Sequence, residues 1–308
     1  MPPLRSGGDD DSVLYRVLHE TRYDYESAVE LAHHLAQLRP LSLPGLQQCE
    51  AYQCDIEPRP EHLARDLDAY GNERLFFAHY APHDTLRVRA LSRVRVRAPA
   101  QPDWAASPAW EQVRGLLRYR AGRPNVAAAE FSFGSEFSPV FDQAAAFAAQ
   151  SFTRGRALLD AAHDLMRRIH AEFTYDPDST EVHTRAPQAL ELRHGVCQDY
   201  AHVMLSALRS LGLAARYMSG YLRSRPRPGE QALVGADASH AWVSVWCPSN
   251  GWVEFDPTND RRPEADYVRV AVGRDFADVS PLRGVIRGGG RHALQVAVNV
   301  SPAGSDTI

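Results

Sequence analysis

The chain has 308 residues, enough for one large domain or two ordinary ones. With 44% hydrophobic and 23% charged residues and a formal net charge of −4, its composition is globular, and its charge gives no argument for nucleic acid or an anionic membrane as partner. No apolar run approaches the roughly 18 residues that a membrane-spanning helix needs.

Residues 1–12 are polar, carry Asp9-Asp10-Asp11 and hold no apolar stretch of signal-peptide length. They are expected to form a disordered tail on a cytoplasmic protein. In that compartment Cys49 and Cys54 are expected as free thiols, and the four cysteines contain no CxxC pair.

Residues 13–100 read as a β-rich N-terminal domain. Val13, Tyr15, Val17, His19, Thr21 and Tyr23 alternate with Leu14, Arg16, Leu18, Glu20 and Arg22, a period of two. Leu31 to Leu38 stays open between strand and helix. Tyr52, Cys54 and Ile56 mark a second strand. Gly71-Asn72 marks a turn before the apolar run Leu75-Phe76-Phe77. Val88, Ala90, Val94 and Val96 then alternate with Arg87, Arg89, Arg93, Arg95 and Arg97. That arginine row is read as the solvated face of a sheet or a blunted edge strand.

Residues 101–150 form a connecting segment, Pro- and Ala-rich at first and then helical or irregular. A core spans 151–300, and 301–308 are a tail. Within the core an amphipathic helix from about Arg154 to Ala171 puts Leu158, Ala162, Leu165 and Ile169 on one face, with His163 and His170 off it. A short helix follows, with Pro187 near its start and Gly195 past its end. The next helix runs from Cys197 to about Leu211, with Gly212 as its C′ residue. Strands are expected at 216–221, 238–246, 252–256, 267–272 and 294–300. The polar loop 223–229 is expected to be mobile.

Cys197 therefore opens a helix, where unpaired backbone N–H groups and the macrodipole favour negative charge. The thiolate is the reactive form of cysteine, and the same N–H groups can hold an oxyanion. A cysteine nucleophile needs a base and a group to orient that base. His240 and Asp256 fit those roles if the hairpin around Pro248-Ser249-Asn250-Gly251 has Trp246 opposite Trp252. His240 and Asp256 then share a face as diagonal neighbours, about 7–8 Å apart at the backbone. Pairing Cys247 with Trp252 would turn Asp256 away. Candidate substrate-binding residues are Asp199, Tyr217, Tyr221, Trp242 and Tyr175, the last as a second oxyanion donor. The blander readings are a helix-cap carboxylate for Asp199 and core packing for Tyr217, Tyr221 and Trp242. His194, Cys197 and His202 match no common zinc spacing, and no D-x-D-x-D-G loop is present, so neither metal nor cofactor is expected.

Gly195-Val196-Cys197-Gln198-Asp199-Tyr200-Ala201-His202, with Leu208-Arg209-Ser210-Leu211-Gly212 behind it, resembles the nucleophile motif of bacterial transglutaminase-like proteins. His240-Ala241-Trp242 resembles the family's histidine motif. Gly251-Trp252-Val253-Glu254-Phe255-Asp256-Pro257-Thr258-Asn259 resembles its aspartate motif. The opening β-rich region is similar to the N-terminal domain that accompanies this core in bacteria. The resemblance implies an α+β fold. Its papain-like, transglutaminase-like core has an antiparallel sheet and uses Cys197, His240 and Asp256 as a triad. It further implies amide chemistry through a thioester on a protein or peptide substrate, ending in acyl transfer to an amine or in hydrolysis. A cysteine peptidase or amidase is one alternative, and a non-catalytic scaffold of the same fold is another. The residues carry no sign of oligomeric state.

Overall fold

Ser12–Ala36 (β1) is a single strand of 25 residues around which the N-terminal sheet is built. The computed structural model describes residues 12–122, 124–176, 179–223 and 239–303. The tail expected at 1–12 lies outside these except for Ser12, which begins β1. The loop expected at 223–229 lies outside them except for Arg223, and the tail at 301–308 except for residues 301–303.

Strands β2 (Gln47–Glu57), β3 (His62–Leu67), β4 (Glu73–His79) and β5 (His83–Arg97) join β1 in the order β2-β5-β1-β4-β3, all pairs antiparallel. Tyr15, Val17, His19 and Thr21 are buried on one face, beside Val88, Ala90 and Val94 of β5. The open stretch from Leu31 resolves as strand. Ala32, His34 and Ala36 are buried at a period of two, while Leu31 faces out. β5 runs between β1 and β2, so its arginines are not on an edge strand. They form a solvated face laced by ion pairs, among them Arg87 with Glu20 at 2.8 Å and Arg95 with Glu50 at 2.7 Å.

Helices α1 (Trp110–Leu117), α2 (Asp142–Ala149) and α3 (Leu158–Glu172) come next, followed by strand β6 (Thr174–Tyr175), helix α4 (Ala186–Leu192), strand β7 (His194–Gly195) and helix α5 (Cys197–Ser210). Strands β8 (Ala215–Leu222), β9 (Ser239–Cys247), β10 (Gly251–Phe255) and β11 (Tyr267–Gly273) form an antiparallel sheet ordered β10-β9-β8-β11. Helix α6 (Phe276–Val279) and strands β12 (Leu282–Gly288) and β13 (His292–Pro302) end the described chain. Leu158, Ala162, Leu165 and Ile169 of α3 are fully buried, each apolar side chain larger than alanine contributing about 1.5–3 kcal/mol. They meet Tyr200, Met204 and Leu208 of α5 and the β9 face of Ala241, Val243 and Val245.

Two of the expected boundaries are corrected. Residues 101–150 are not a mere connector, because Trp110, Val113, Leu117, Phe131 and Phe147 sit in the same core as α3 and α5. The last strands before 300 also belong to the N-terminal sheet. β13 pairs with Tyr15–Tyr25 of β1, and β12 pairs with Val29–Ala36. An edge as long as that of β1 exposes a row of unpaired N–H and C=O groups, and the chain's last two strands cover it. The link between them is Gly288-Gly289-Gly290, with φ of 89°, 86° and 62°, a left-handed run that side chains resist.

Two buried amides lock the sheets together. Gln47 donates to the Arg269 carbonyl at 2.7 Å and accepts from the Arg269 N–H at 2.8 Å. Asn72 does the same with Val272, at 2.7 and 2.9 Å. Each side chain stands in for a neighbouring strand along β11. Among the described residues no helix is long and apolar enough to cross a membrane.

Candidate active site

The turn into α5 presents Cys197. Gly195 has φ of 154°, and a Cβ there would press on Asp199 Cβ at 2.7 Å. Val196 is extended, and Cys197 is the first helical residue. Asp199 Oδ2 accepts from the Val196 N–H at 2.9 Å and from Thr180 Oγ1 at 2.7 Å. The side chain is buried, and that burial raises its pKa above the usual carboxylate value. Asp199 is thus a cap that fixes the turn, and the substrate-gripping role weighed for it is withdrawn.

The β9–β10 hairpin has the even register. Trp246 lies opposite Trp252, Ser244 opposite Glu254, and Val243 opposite Phe255. The pairing extends to Cys247 and Gly251, which leaves Pro248, Ser249 and Asn250 as the loop. His240 Nε2 lies 2.7 Å from Asp256 Oδ2. Cys197 lines the same cleft as His240 and is one of the groups that raise the imidazole's pKa.

Asp256 is fully buried, yet its carboxylate is charged because five donors converge on it. Oδ2 accepts from His240, from Asn259 Nδ2 at 2.7 Å and from Tyr267 Oη at 2.6 Å. Oδ1 accepts from the N–H groups of Thr258 at 2.9 Å and Asn259 at 3.3 Å. Burial would raise the Asp256 pKa, but the hydrogen bond and charge of His240, followed by the Asn259 and Tyr267 bonds, hold it below the usual value. For His240 burial works downward, while Asp256 and Cys197 lift its pKa to about 10. Asn259 and Tyr267 were not singled out from the sequence. The run Asp256-Pro257-Thr258-Asn259 carries turn chemistry that could have pointed to Asn259. Tyr267 gives no sequence signal, since it reaches Asp256 from β11 at the far side of the sheet. Gly220 lets the rings there pack closely. It pairs with His240, and a Cβ on it would overlap the Val268 carbonyl and approach the Trp242 ring to 2.7 Å.

A cleft of about 470 Å³ opens over Cys197 and His240. Tyr175 and Tyr217 line it, as do His19, Thr21 and Tyr23 of β1 and Leu294 and Val296 of β13. Two of the expected cleft residues are not among its lining residues. Tyr221 is buried and turns its hydroxyl to His19 Nδ1 at 3.0 Å. Trp242 is buried with Met218, Tyr267 and Val272, beneath His240 rather than beside the opening. His194 and His202 do not converge with Cys197 on a metal site. His194 is exposed, and His202 is buried, accepting from the Phe276 N–H at 3.2 Å and stacked on Phe137.

Residues 145–257 match the family model of the transglutaminase-like superfamily, and residues 15–95 that of the bacterial transglutaminase-like N-terminal region. An uncharacterized protein of Mycobacterium tuberculosis is 37% identical over 302 residues, covering 96% of this chain and 94% of that one. A protein-glutamine gamma-glutamyltransferase of Pseudomonas aeruginosa is 35% identical over 144 residues, 44% of this chain and 21% of that protein. The crystal structure of a proposed cysteine protease from Cytophaga hutchinsonii superposes with a TM-score of 0.75 at 18% identity, covering 97% of this chain and 93% of the other.

Proposed function

The chain belongs to the transglutaminase-like superfamily, and we propose that it is a cysteine enzyme that opens amide bonds through a thioester on Cys197. The observation that carries this reading is a single imidazole. His240 is bonded through Nε2 to the buried Asp256 carboxylate and lines one cleft with Cys197.

His240 takes the thiol proton and becomes an imidazolium. Asp256 fixes the ring's tautomer and favours its charged form, and Asn259 and Tyr267 fix Asp256. The thiolate attacks the carbonyl carbon of a protein or peptide amide. The Cys197 N–H at the start of α5 steadies the oxyanion. As the C–N bond breaks, His240 protonates the departing amine. A primary amine or water then gives a proton to His240, attacks the thioester and releases the Cys197 thiolate. The Pseudomonas relative, named for glutamine acyl transfer, supports the amine as acceptor. The open cleft also gives water a path, which supports hydrolysis.

The experiment is intact-mass analysis after incubation with a glutamine-containing protein such as casein, digested to peptides. An acyl adduct on Cys197, absent in Cys197→Ala, is expected. Adding a fluorescent primary amine then separates the outcomes, since label entering the peptides means acyl transfer, whereas conversion of a glutamine amide to a carboxylic acid with release of ammonia, or a new break in the peptide chain, means hydrolysis. No adduct and no product of either kind would overturn the proposal.

A further inference from the structure

The cleft has two unlike walls. The catalytic core brings Cys197 and His240. The N-terminal sheet brings Tyr23 of β1, Leu282 of β12 and Leu294 and Val296 of β13. Leu294 pairs with Tyr23 and Val296 with Thr21, so these side chains project from the same face of the sheet. Across the opening stand Tyr175 and Val182.

Four of these apolar side chains are more than half exposed. Leu294 and Val296 each show 52% of their surface, Tyr175 55% and Val182 59%. Single exposed apolar residues are ordinary, but a contiguous set around a reactive group marks a binding surface. No Asp, Glu, Lys or Arg lines the cleft among the described residues. Its only titratable side chain on the sheet wall that is basic is His19, which burial lowers to about 4 and so keeps neutral near pH 7. A charged side chain or a free peptide terminus placed against the sheet wall would lose water and meet no charged partner there among the described residues. A cavity of about 470 Å³ lies within the roughly 300–1,000 Å³ of small-ligand sites.

We propose that the N-terminal sheet supplies a subsite for a large apolar side chain of the peptide whose amide is opened, with Leu294 and Val296 as its specificity-determining residues. The substrate is then an internal, uncharged stretch of polypeptide carrying a leucine- or phenylalanine-sized side chain beside the reacting amide. The pairing of β13 with β1 makes the N-terminal sheet part of the substrate site rather than an appendage to the core. This proposal rests on reading the cleft as the substrate site, and its test is independent of turnover.

The test uses the full chain carrying Cys197→Ala, titrated calorimetrically with end-capped hexapeptides that differ at one position, Phe, Ser or Glu. The Phe peptide is expected to bind at least about 10-fold more tightly than the Ser peptide, the scale of an apolar pocket's discrimination, with Glu weakest. Adding Leu294→Ser, or separately Val296→Ser, is expected to bring Phe and Ser within about 3-fold of each other. Val285→Ser alters a still more exposed apolar residue of β12 outside the cleft and is expected to leave the preference intact. Equal binding of all three peptides, or a preference that survives both β13 variants, would overturn the subsite. Failure of the catalytic reading is seen separately, as absence of the acyl adduct on wild-type Cys197.

Discussion

Replacing Asp256 with asparagine changes one atom's chemistry and keeps the shape, and the hydrogen bonds around the carboxylate dictate the result. Three side-chain donors meet Oδ2 and two backbone donors meet Oδ1. An asparagine has one accepting oxygen, so its amide group must oppose donors whichever way it turns. With the amide toward His240, Nε2 must accept, so the imidazole carries its proton on Nδ1 and has no free nitrogen to take the thiol proton. With the amide toward Thr258 and Asn259, two backbone N–H groups lose their acceptor. The loss of one charge-assisted hydrogen bond is about 1.5–3 kcal/mol, or roughly 10- to 100-fold in rate. The wrong tautomer extends the fall toward about 10⁴-fold, the scale seen when a triad aspartate is made neutral. We expect kcat/KM for an activated p-nitrophenyl ester to drop by about 10²–10⁴ in Asp256→Asn. Stability should fall by about 1–3 kcal/mol for the opposed donors, read by urea unfolding. A folded Asp256→Asn protein with kcat/KM within about 3-fold of wild type would refute the assignment.

Amide turnover needs the imidazolium as acid, so its alkaline limb is expected near pH 10, where His240 titrates, rather than near 6.5. The same raised value adds stability that is complete below about pH 6.5 and is lost as pH rises toward 10, so His240→Ala should flatten the alkaline side of the unfolding curve. His19 and His202 behave in the opposite sense. Burial lowers them to about 4 and about 3, so the unfolded chain takes up protons first as pH falls below 6.5. Stability should decline between pH 6.5 and 4 by up to about 1.4 kcal/mol per pH unit for each histidine, measured by urea unfolding, and His19→Gln should remove one such share. An unchanged slope in that variant would contradict a neutral buried His19. Tyr267→Phe deletes the 2.6 Å bond to Asp256 while leaving Asn259 in place. It should lower amide kcat by about 10-fold with KM little changed, and should shift the acid limb upward because the carboxylate loses a donor.

The geometry at the two chain turns was legible because local rules control it. A helix start places Cys197, and a hairpin's parity decides whether His240 and Asp256 share a face. What the chain brings together across long separations was not legible. Tyr267 reaches Asp256 across the two strands that separate β11 from β10, and Gly220 leaves room for the rings between them. Leu294 and Val296 read as one more alternating strand, and nothing local says that β13 returns to β1 and faces Cys197. Tyr221 and Trp242 fitted a cleft by spacing, but strand alternation does not say which partner awaits a side chain. His19 took the hydroxyl of Tyr221, and the Tyr267 ring covered Trp242. Residues 101–150 seemed irregular because Gly and Pro interrupt their short helical pieces, yet Trp110, Phe131 and Phe147 bury them in the core.

The central claim is that His240 activates Cys197. Its most direct measurement is site-resolved alkylation by iodoacetamide at pH 6, quantified by peptide mass spectrometry. Cys49 and Cys54 are internal references, since burial raises both thiols and Cys54 to about 11. The account predicts that Cys197 is modified at least about 100-fold faster than either, and that His240→Ala brings it down to their rate. Equal rates at all three cysteines in the wild-type chain, or a Cys197 rate unchanged by His240→Ala, would contradict it.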